Sequence, residues 1–168
     1  MKQITAIFKN ISPIEIIAIS LISLSAFLIL FSAFVDPFMI IKGFFFALCM
    51  VAVSYCDAKA ETIPNLLLVP LALIGLIHVS WESLAWVVIG VPFLVAALIA
   101  KNEVIGGGDI KMLAAYGFVL GRSTVMGVLL GSVFYIIRYL YPHLKKKKVT
   151  FPFAPSLSLG CFISFILM

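Results

Sequence analysis

Residues 14–35 read IEIIAISLISLSAFLILFSAFV, an apolar run of about 22 residues that contains one charged side chain, Glu15. A helix needs roughly 20 consecutive apolar residues to cross the hydrocarbon core of a bilayer. The run is longer than the apolar stretch of a cleaved signal peptide, which has roughly 7–15 residues. It therefore predicts a membrane-spanning helix and argues against a signal peptide.

The whole chain has a similarly apolar composition. Of its 168 residues, 64% are apolar, and only 12 Lys and Arg plus 7 Asp and Glu are charged. Average soluble domains contain about 45–50% apolar and about 25% charged residues. A soluble protein of this length could not bury so much apolar surface, because small domains expose a large share of their chain. The composition excludes a soluble domain, a disordered chain and a nucleic-acid-binding protein, and it indicates an integral membrane protein in contact with the lipid bilayer.

Six more apolar segments follow, each of about 17–22 residues. They lie at about 38–56, 63–79, 84–100, 104–121, 123–141 and 151–168. Because lipid cannot satisfy the backbone groups of an open sheet edge, we expect helices. The predicted fold is an all-α, polytopic bundle of about six to seven transmembrane helices. The segment at about 104–121, the fifth of the seven, contains three glycines and Asp109 near its start. We therefore expect a short or tilted helix there, or first turns that line a wet cavity.

The basic residues predict the orientation of the chain. With the N-terminus inside, ten of the twelve Lys and Arg lie on the cytoplasmic side, and only Lys42 and Arg122 lie opposite. Such a bias follows the positive-inside rule. The four lysines at 145–148 are expected to anchor the chain near anionic headgroups.

Two aspartates lie at the cytoplasmic ends of apolar segments. Asp57 ends Ser-Tyr-Cys-Asp, and Asp109 ends Gly-Gly-Gly-Asp. Ionisable groups at membrane depth are costly and usually have a function. Two carboxylates about 3 Å apart share one proton, so that one can activate water while the other protonates a carbonyl oxygen or a leaving amine. This pair could hydrolyse a peptide bond without a metal, although each Asp could also be a solvated residue at the membrane surface.

The chain offers no rival chemistry in its sequence. Cys49, Cys56 and Cys161 are odd in number and widely spaced, and we interpret them as small packing residues. His78 and His143 stand far apart, and there is neither a zinc-site spacing nor a G-x-S-x-G motif. We expect no metal and no cofactor.

Three short boxes resemble the type IV leader peptidases, also called prepilin peptidases. They are Asp57 followed by Ile63, Pro64 and Asn65; GGGDIK at 106–111; and PFAPSL at 152–157 with Gly160. These are similar to the family patterns D-x(several)-[IL]-P-[ND], G-x-G-D-x-[KF] and P-F-[GA]-P-x-L. The boxes occur in the family's order, and each lies beside an apolar segment.

The resemblance implies an aspartic endopeptidase of the G-x-G-D type in the inner (cytoplasmic) membrane. Such an enzyme removes the basic leader from prepilins, or from pilin-like secretion subunits, on the cytoplasmic side of the membrane. Residues 1–168 would form a single domain, with an extra N-terminal helix at 1–36 and the catalytic core at 37–168. The chain lacks the cysteine-containing cytoplasmic insert of longer members, which makes it similar to their compact branch. No part of it can be assigned to the methyl transfer that longer members also perform, and the sequence does not indicate an oligomeric state.

The resemblance also implies a role for each matching residue. Asp57 and Asp109 are the expected catalytic pair, and Lys111 is expected to position or tune Asp109. Pro64 would set the start of the third helix, where a proline costs no hydrogen bond. The other expected substrate-binding or positioning residues are Asn65, Gly106, Gly108, Pro152 and Pro155. Glycines allow the close approach of a helix or of a substrate backbone, and Asn65 could donate a hydrogen bond or act as a polar cap.

Two other functions fit parts of the same pattern. A presenilin or signal-peptide-peptidase type of protease shares the G-x-G-D motif, but it would cut within the membrane span of its substrate. A small proton-coupled transporter could use Asp57 and Asp109 as relay groups. Transporters often contain internal repeats, and none is visible in this sequence.

Overall fold

The computed structural model describes residues 11–77, 81–89, 107–144 and 152–168. Within these ranges every regular element is helical, which confirms the all-α prediction. The helices are α1 (Pro13–Ala33), α2 (Pro37–Ala60), α3 (Asn65–Gly75), α4 (Trp81–Trp86) with a 3-10 turn (Val87–Ile89), α5 (Gly107–Leu120), α6 (Ser123–Leu144) and α7 (Ala154–Ile166). The lysines at 145–148 and most of the fourth apolar segment lie outside the described residues.

Three of the described helices are long and apolar enough to cross a membrane. They are α1, α2 and the Ser123–Leu140 part of α6. Polar caps define where the first two begin. Ser12 and Glu15 form a reciprocal capping box at the start of α1, and the Asp36 side chain accepts a hydrogen bond from the Phe38 N–H at the start of α2.

Helices α3, α5 and α7 are shorter than the apolar segments that predict them. They have 11, 14 and 13 residues, respectively. The prediction of a helix of bilayer-spanning length is therefore wrong for α3 and α7, whereas the short α5 agrees with the expectation of a short or tilted helix in its segment. Hydropathy counts the apolar residues of caps and turns together with those of the helix. Helix α3, for example, starts only after Pro64, contains Pro70 and ends at Gly75.

The core lies between α2, α3, α5 and α7. Its largest fully buried side chains include Phe46, Tyr116 and Phe165. Helix α7 also packs along α6 at very short range, because a Cβ atom at Gly160 would collide with the backbone of Gly127 and Gly131. Small residues at such crossings let membrane helices approach closely. This packing fixes α7, and with it the third sequence box, against the rest of the bundle.

Candidate active site

Asp57 lies in the last turn of α2 and is buried, with 7% of its surface exposed. Its Oδ2 atom accepts a hydrogen bond of 2.9 Å from the backbone N–H of Ala154, the first residue of α7. The first N–H groups of a helix have no partner within the helix, and the helix dipole favours negative charge there. The first and third sequence boxes therefore meet through a carboxylate and a helix N-terminus.

Two prolines of the third box lie on either side of the residue that makes this contact. Pro152 is half-buried just before α7, and Pro155 is the second residue of the helix. Proline has no N–H, so Pro155 cannot donate to Asp57. Ala154 and Pro155 are the first two residues of α7, and of these only Ala154 has an N–H that can donate. Ala154 is fully buried against the core. Pro155 thus starts the helix without competing for the carboxylate.

Asp109 is half-buried in the first turn of α5. The start of α5 packs on the segment that follows α2, since Gly108 approaches Ile63 and Lys111 bonds Asn65, so Asp109 lies at the end of the bundle that holds Asp57. The structure thus brings the two predicted carboxylates to the same end of the bundle. They reach this place from two different helices, each at the end that carries a sequence box.

Gly108 lies at a close approach between the first and second boxes. A Cβ atom at Gly108 would be 3.1 Å from the Cβ of Ile63, whereas one at Gly107 would meet nothing within 4 Å. The glycine at 108 therefore allows the start of α5 to pack on the segment that precedes α3. Gly106, also expected to help positioning, lies outside the described residues.

Lys111 and Asn65 form a second link between these boxes. The Nζ atom of Lys111 donates a hydrogen bond of 3.1 Å to Oδ1 of Asn65. Asn65 is the first residue of α3, and Pro64 immediately precedes it as the N-cap residue. The sequence analysis expected Asn65 to donate or to cap, and in the structure its Oδ1 atom is an acceptor. The tuning of Asp109 by Lys111 stays a prediction.

A polar connection between α1 and α2 was not predicted from the sequence. The Glu15 carboxylate is 2.6 Å from Lys59 Nζ and accepts a 3.2 Å hydrogen bond from the Tyr55 hydroxyl. Lys59 lies two residues after Asp57, so this connection ties α1 to the end of α2 that holds the carboxylate. In the sequence, the one indication of this connection was Glu15, the single acidic residue of the first apolar run.

The described residues contain no group of three or more His, Cys, Asp or Glu that could hold a metal ion. Among them, Cys56 and Cys161 are buried, Cys49 is half-buried, and all three are free thiols. What the arrangement offers is a pair of carboxylates, one of them held by a backbone amide. Such a pair can share and move a proton.

The fold and this site define a class: helical membrane proteins with paired carboxylates at one end of the bundle. The chain belongs to the type IV leader peptidase family, because the profile of that family matches residues 44–141, more than half of the chain. The match confirms the resemblance that the three boxes indicated.

Two curated relatives are similar to the chain. One is the prepilin leader peptidase/N-methyltransferase of Bacillus subtilis, 27% identical over 129 residues, which are 70% of this chain and 52% of the relative. The other is the prepilin leader peptidase/N-methyltransferase of Vibrio cholerae, 27% identical over 165 residues, 86% of this chain and 64% of the relative. The chain thus spans between about half and two thirds of their length. No solved structure gave a significant match.

Proposed function

We propose that this chain is an aspartic endopeptidase that removes the leader peptide from prepilins or pilin-like subunits. The observation that carries the proposal is the convergence of the family's sequence boxes on two carboxylates. Asp57 contacts Ala154 of the third box, and Asp109, in the second box, lies at the same end of the bundle because Gly108 and Lys111 contact the segment that follows α2. Family membership and the names of the two relatives point to the same activity.

The contacts suggest separate roles for the two aspartates. The Ala154 N–H stabilises negative charge on Oδ2 of Asp57, because hydrogen bonds to ionised groups are the stronger ones. We assign Asp57 as the base that takes a proton from water and Asp109 as the acid that keeps the shared proton. The hydroxide adds to the scissile carbonyl carbon while Asp109 protonates the carbonyl oxygen. The C–N bond then breaks as the proton held by Asp57 passes to the leaving amine and a hydroxyl proton of the diol returns to Asp109, which restores the starting pair.

We further propose that the site faces the cytoplasm from the inner membrane. The support is the excess of Lys and Arg on the side where the sequence places both aspartates. A substrate would then present its basic leader in the cytoplasm and its apolar helix in the bilayer. We assign the catalytic core to residues 37–168 with α1 as an additional helix, since the family match begins at residue 44.

Co-expression with a pilin precursor tests the proposal. The precursor carries a basic leader that ends in Gly before an apolar helix. Asp57→Asn and Asp109→Asn each remove one ionisable oxygen while keeping the shape of the side chain, and both should abolish the mature product. Asp36→Asn is the matched control, because Asp36 caps the opposite end of α2 and Asn is an equally good N-cap residue.

The products are identified by gel mobility and by the mass of the new N-terminus. The proposal predicts a cut after the Gly in the wild type and in Asp36→Asn. Full processing by either active-site variant would overturn the assignment of the pair. A cut within the membrane span of the precursor would instead favour a protease of the presenilin type.

A further inference from the structure

Three hydroxyl groups, two of them buried and that of Ser54 partly buried, form a hydrogen-bonded chain inside the bundle. Ser54 Oγ donates to Ser158 Oγ over 3.0 Å, and the Tyr116 hydroxyl is 2.8 Å from the same Ser158 oxygen. Tyr116 is fully buried, and Ser158 is 6% exposed. A hydrogen bond in such a low-dielectric interior is electrostatically stronger than one in water, so its loss should weaken the contact between the helices that it joins.

Each hydroxyl lies on a helix that also carries part of the candidate active site. Ser54 precedes Asp57 by three residues on α2, and Ser158 follows Ala154 by four residues on α7. Residues three or four apart lie on the same face of a helix, one turn from each other. The Ser54–Ser158 bond is therefore a second connection between α2 and α7, one turn deeper than the bond between Asp57 and Ala154.

Tyr116 adds the third helix to this connection. It follows Asp109 by seven residues on α5, which again places both on one face. Long side chains on a helix project toward its N-terminus. The Tyr116 hydroxyl therefore points back toward the level of Asp109, where it hydrogen-bonds to Ser158 of α7. Ser158 in turn bonds to Ser54 of α2, the helix that carries Asp57.

We propose that Tyr116, Ser158 and Ser54 are positioning residues that set the register of α5 against α2 and α7. They thereby set the separation of Asp109 from Asp57. Two contacts one turn apart fix both the rotation and the sliding of α2 relative to α7. The Tyr116–Ser158 bond then locks α5, and with it Asp109, to that pair. This inference rests on the proposed function, since the separation matters because the two carboxylates share a proton.

Packing alone does not need the tyrosine hydroxyl. The Tyr116 ring packs edge-on against Phe46 with the centroids 5.5 Å apart, and Tyr116→Phe keeps this contact. The variant removes only the hydroxyl and its bond to Ser158. It separates the positioning role from the role of the ring in the core.

The first test compares turnover in three variants. Tyr116→Phe and Ser158→Ala should lower kcat by about tenfold to a hundredfold with KM unchanged, the range expected when reacting groups are displaced by about 1 Å. Ser164→Ala is the matched control. Ser164 is also buried on α7, donates to the carbonyl of Ser123, and lies ten residues beyond Ala154.

Ser164→Ala loses one interhelical hydrogen bond and Ser158→Ala loses two, and Ser164 lies about 9 Å further along the helix than Ser158. Ser164→Ala should match Tyr116→Phe, which also loses one interhelical hydrogen bond, in thermal stability, and it should keep the kcat of the wild type. Equal kcat values in Ser158→Ala and Ser164→Ala would overturn the inference, as would a Tyr116→Phe variant with kcat within about twofold of the wild type.

The second test does not depend on activity. Ala60 and Gly107 are exposed at the end of α2 and the start of α5. They are changed to Cys in a background with the three native cysteines replaced by Ala, and then carry spin labels. Tyr116→Phe should broaden or shift the distance distribution between the labels, whereas Ser164→Ala should leave it unchanged.

The two tests distinguish the failure of this inference from that of the proposed function. If Asp57→Asn is inactive while Tyr116→Phe keeps its kcat, the function stands and the positioning role falls. If the wild type cleaves no precursor, the proposed function falls and the spin labels decide the question of register. An unchanged distance distribution in Tyr116→Phe would then overturn the inference.

Discussion

The backbone N–H of Ala154 donates a 2.9 Å hydrogen bond to Oδ2 of Asp57, across 97 positions of the chain. This contact places the start of α7 directly on the carboxylate that we assign as the base. It also shows why the third sequence box lies beside the first in space. The box supplies a helix N-terminus rather than a reactive side chain.

Substitutions at Ala154 should separate the amide from the side chain. Ala154→Gly keeps the N–H and should retain most of the activity. Ala154→Val should lower cleavage at least tenfold, because Ala154 is fully buried. Overpacking a filled core typically costs about 1–3 kcal/mol, and here it pushes α7 away from Asp57. Cleavage rates and thermal unfolding of both variants check this, and a fully active Val variant would contradict it.

The two described glycines of the second box should differ in their tolerance of side chains. Gly107→Ala should cleave normally, because a Cβ there meets open space. Gly108→Val should reduce cleavage at least tenfold, because its Cβ would be only 3.1 Å from that of Ile63 and the extra methyl groups would displace the start of α3. The measurement is the initial cleavage rate in membranes adjusted to equal enzyme content. Equal rates for the two variants would show that the close approach is unimportant.

Lys111 and Asn65 should act as a coupled pair. Lys111→Met and Asn65→Leu each remove their 3.1 Å hydrogen bond, so the double variant should lose little more than either single one. A coupling free energy of about 0.5–1.5 kcal/mol in kcat/KM is expected from one hydrogen bond. A double-mutant cycle measures it. Strictly additive effects would mean that the two residues act independently.

The close packing of α6 and α7 should depend on the absence of a side chain at Gly160. Gly160→Val inserts a side chain where a single Cβ already collides with the backbone of α6, and it should lower stability by about 1–3 kcal/mol or more. The neighbouring Leu159 is 58% exposed, so Leu159→Val is the matched control and should change stability by less than about 0.5 kcal/mol. Thermal unfolding in detergent compares them. A Gly160→Val protein as stable as the control would contradict the close packing of α6 and α7.

Parts of this molecule were predictable because charge is scarce in it. Asp57 and Asp109 stand out in a chain with seven acidic residues, and their position at the ends of apolar segments predicted that they could meet. The helical class followed from the hydropathy of long segments. The lengths of α3 and α7 did not, because hydropathy does not distinguish a helix residue from an apolar residue in a turn.

The finer contacts of the site had no signal in the sequence. A backbone amide such as that of Ala154 has the same chemistry at every position, so no residue type marks it as a donor. Tyr116 and Ser158 are ordinary residues of apolar helices, 42 positions apart, and only the packing of α5 on α7 brings them together. Glu15 is the one charged residue of the first apolar run, where no sequence pattern indicates a partner, and the structure pairs it with Lys59.

The amide of Ala154 also has a consequence for the timing of activity. Because Asp57 depends on the first turn of α7, a chain that is still being synthesised has both aspartates in the membrane but lacks the donor that holds one of them. We therefore expect the proposed catalytic pair to be complete only after residues 154–166 have left the ribosome and packed against α2 and α6. On the proposed mechanism, the nascent chain should have no peptidase activity until its own folding is finished.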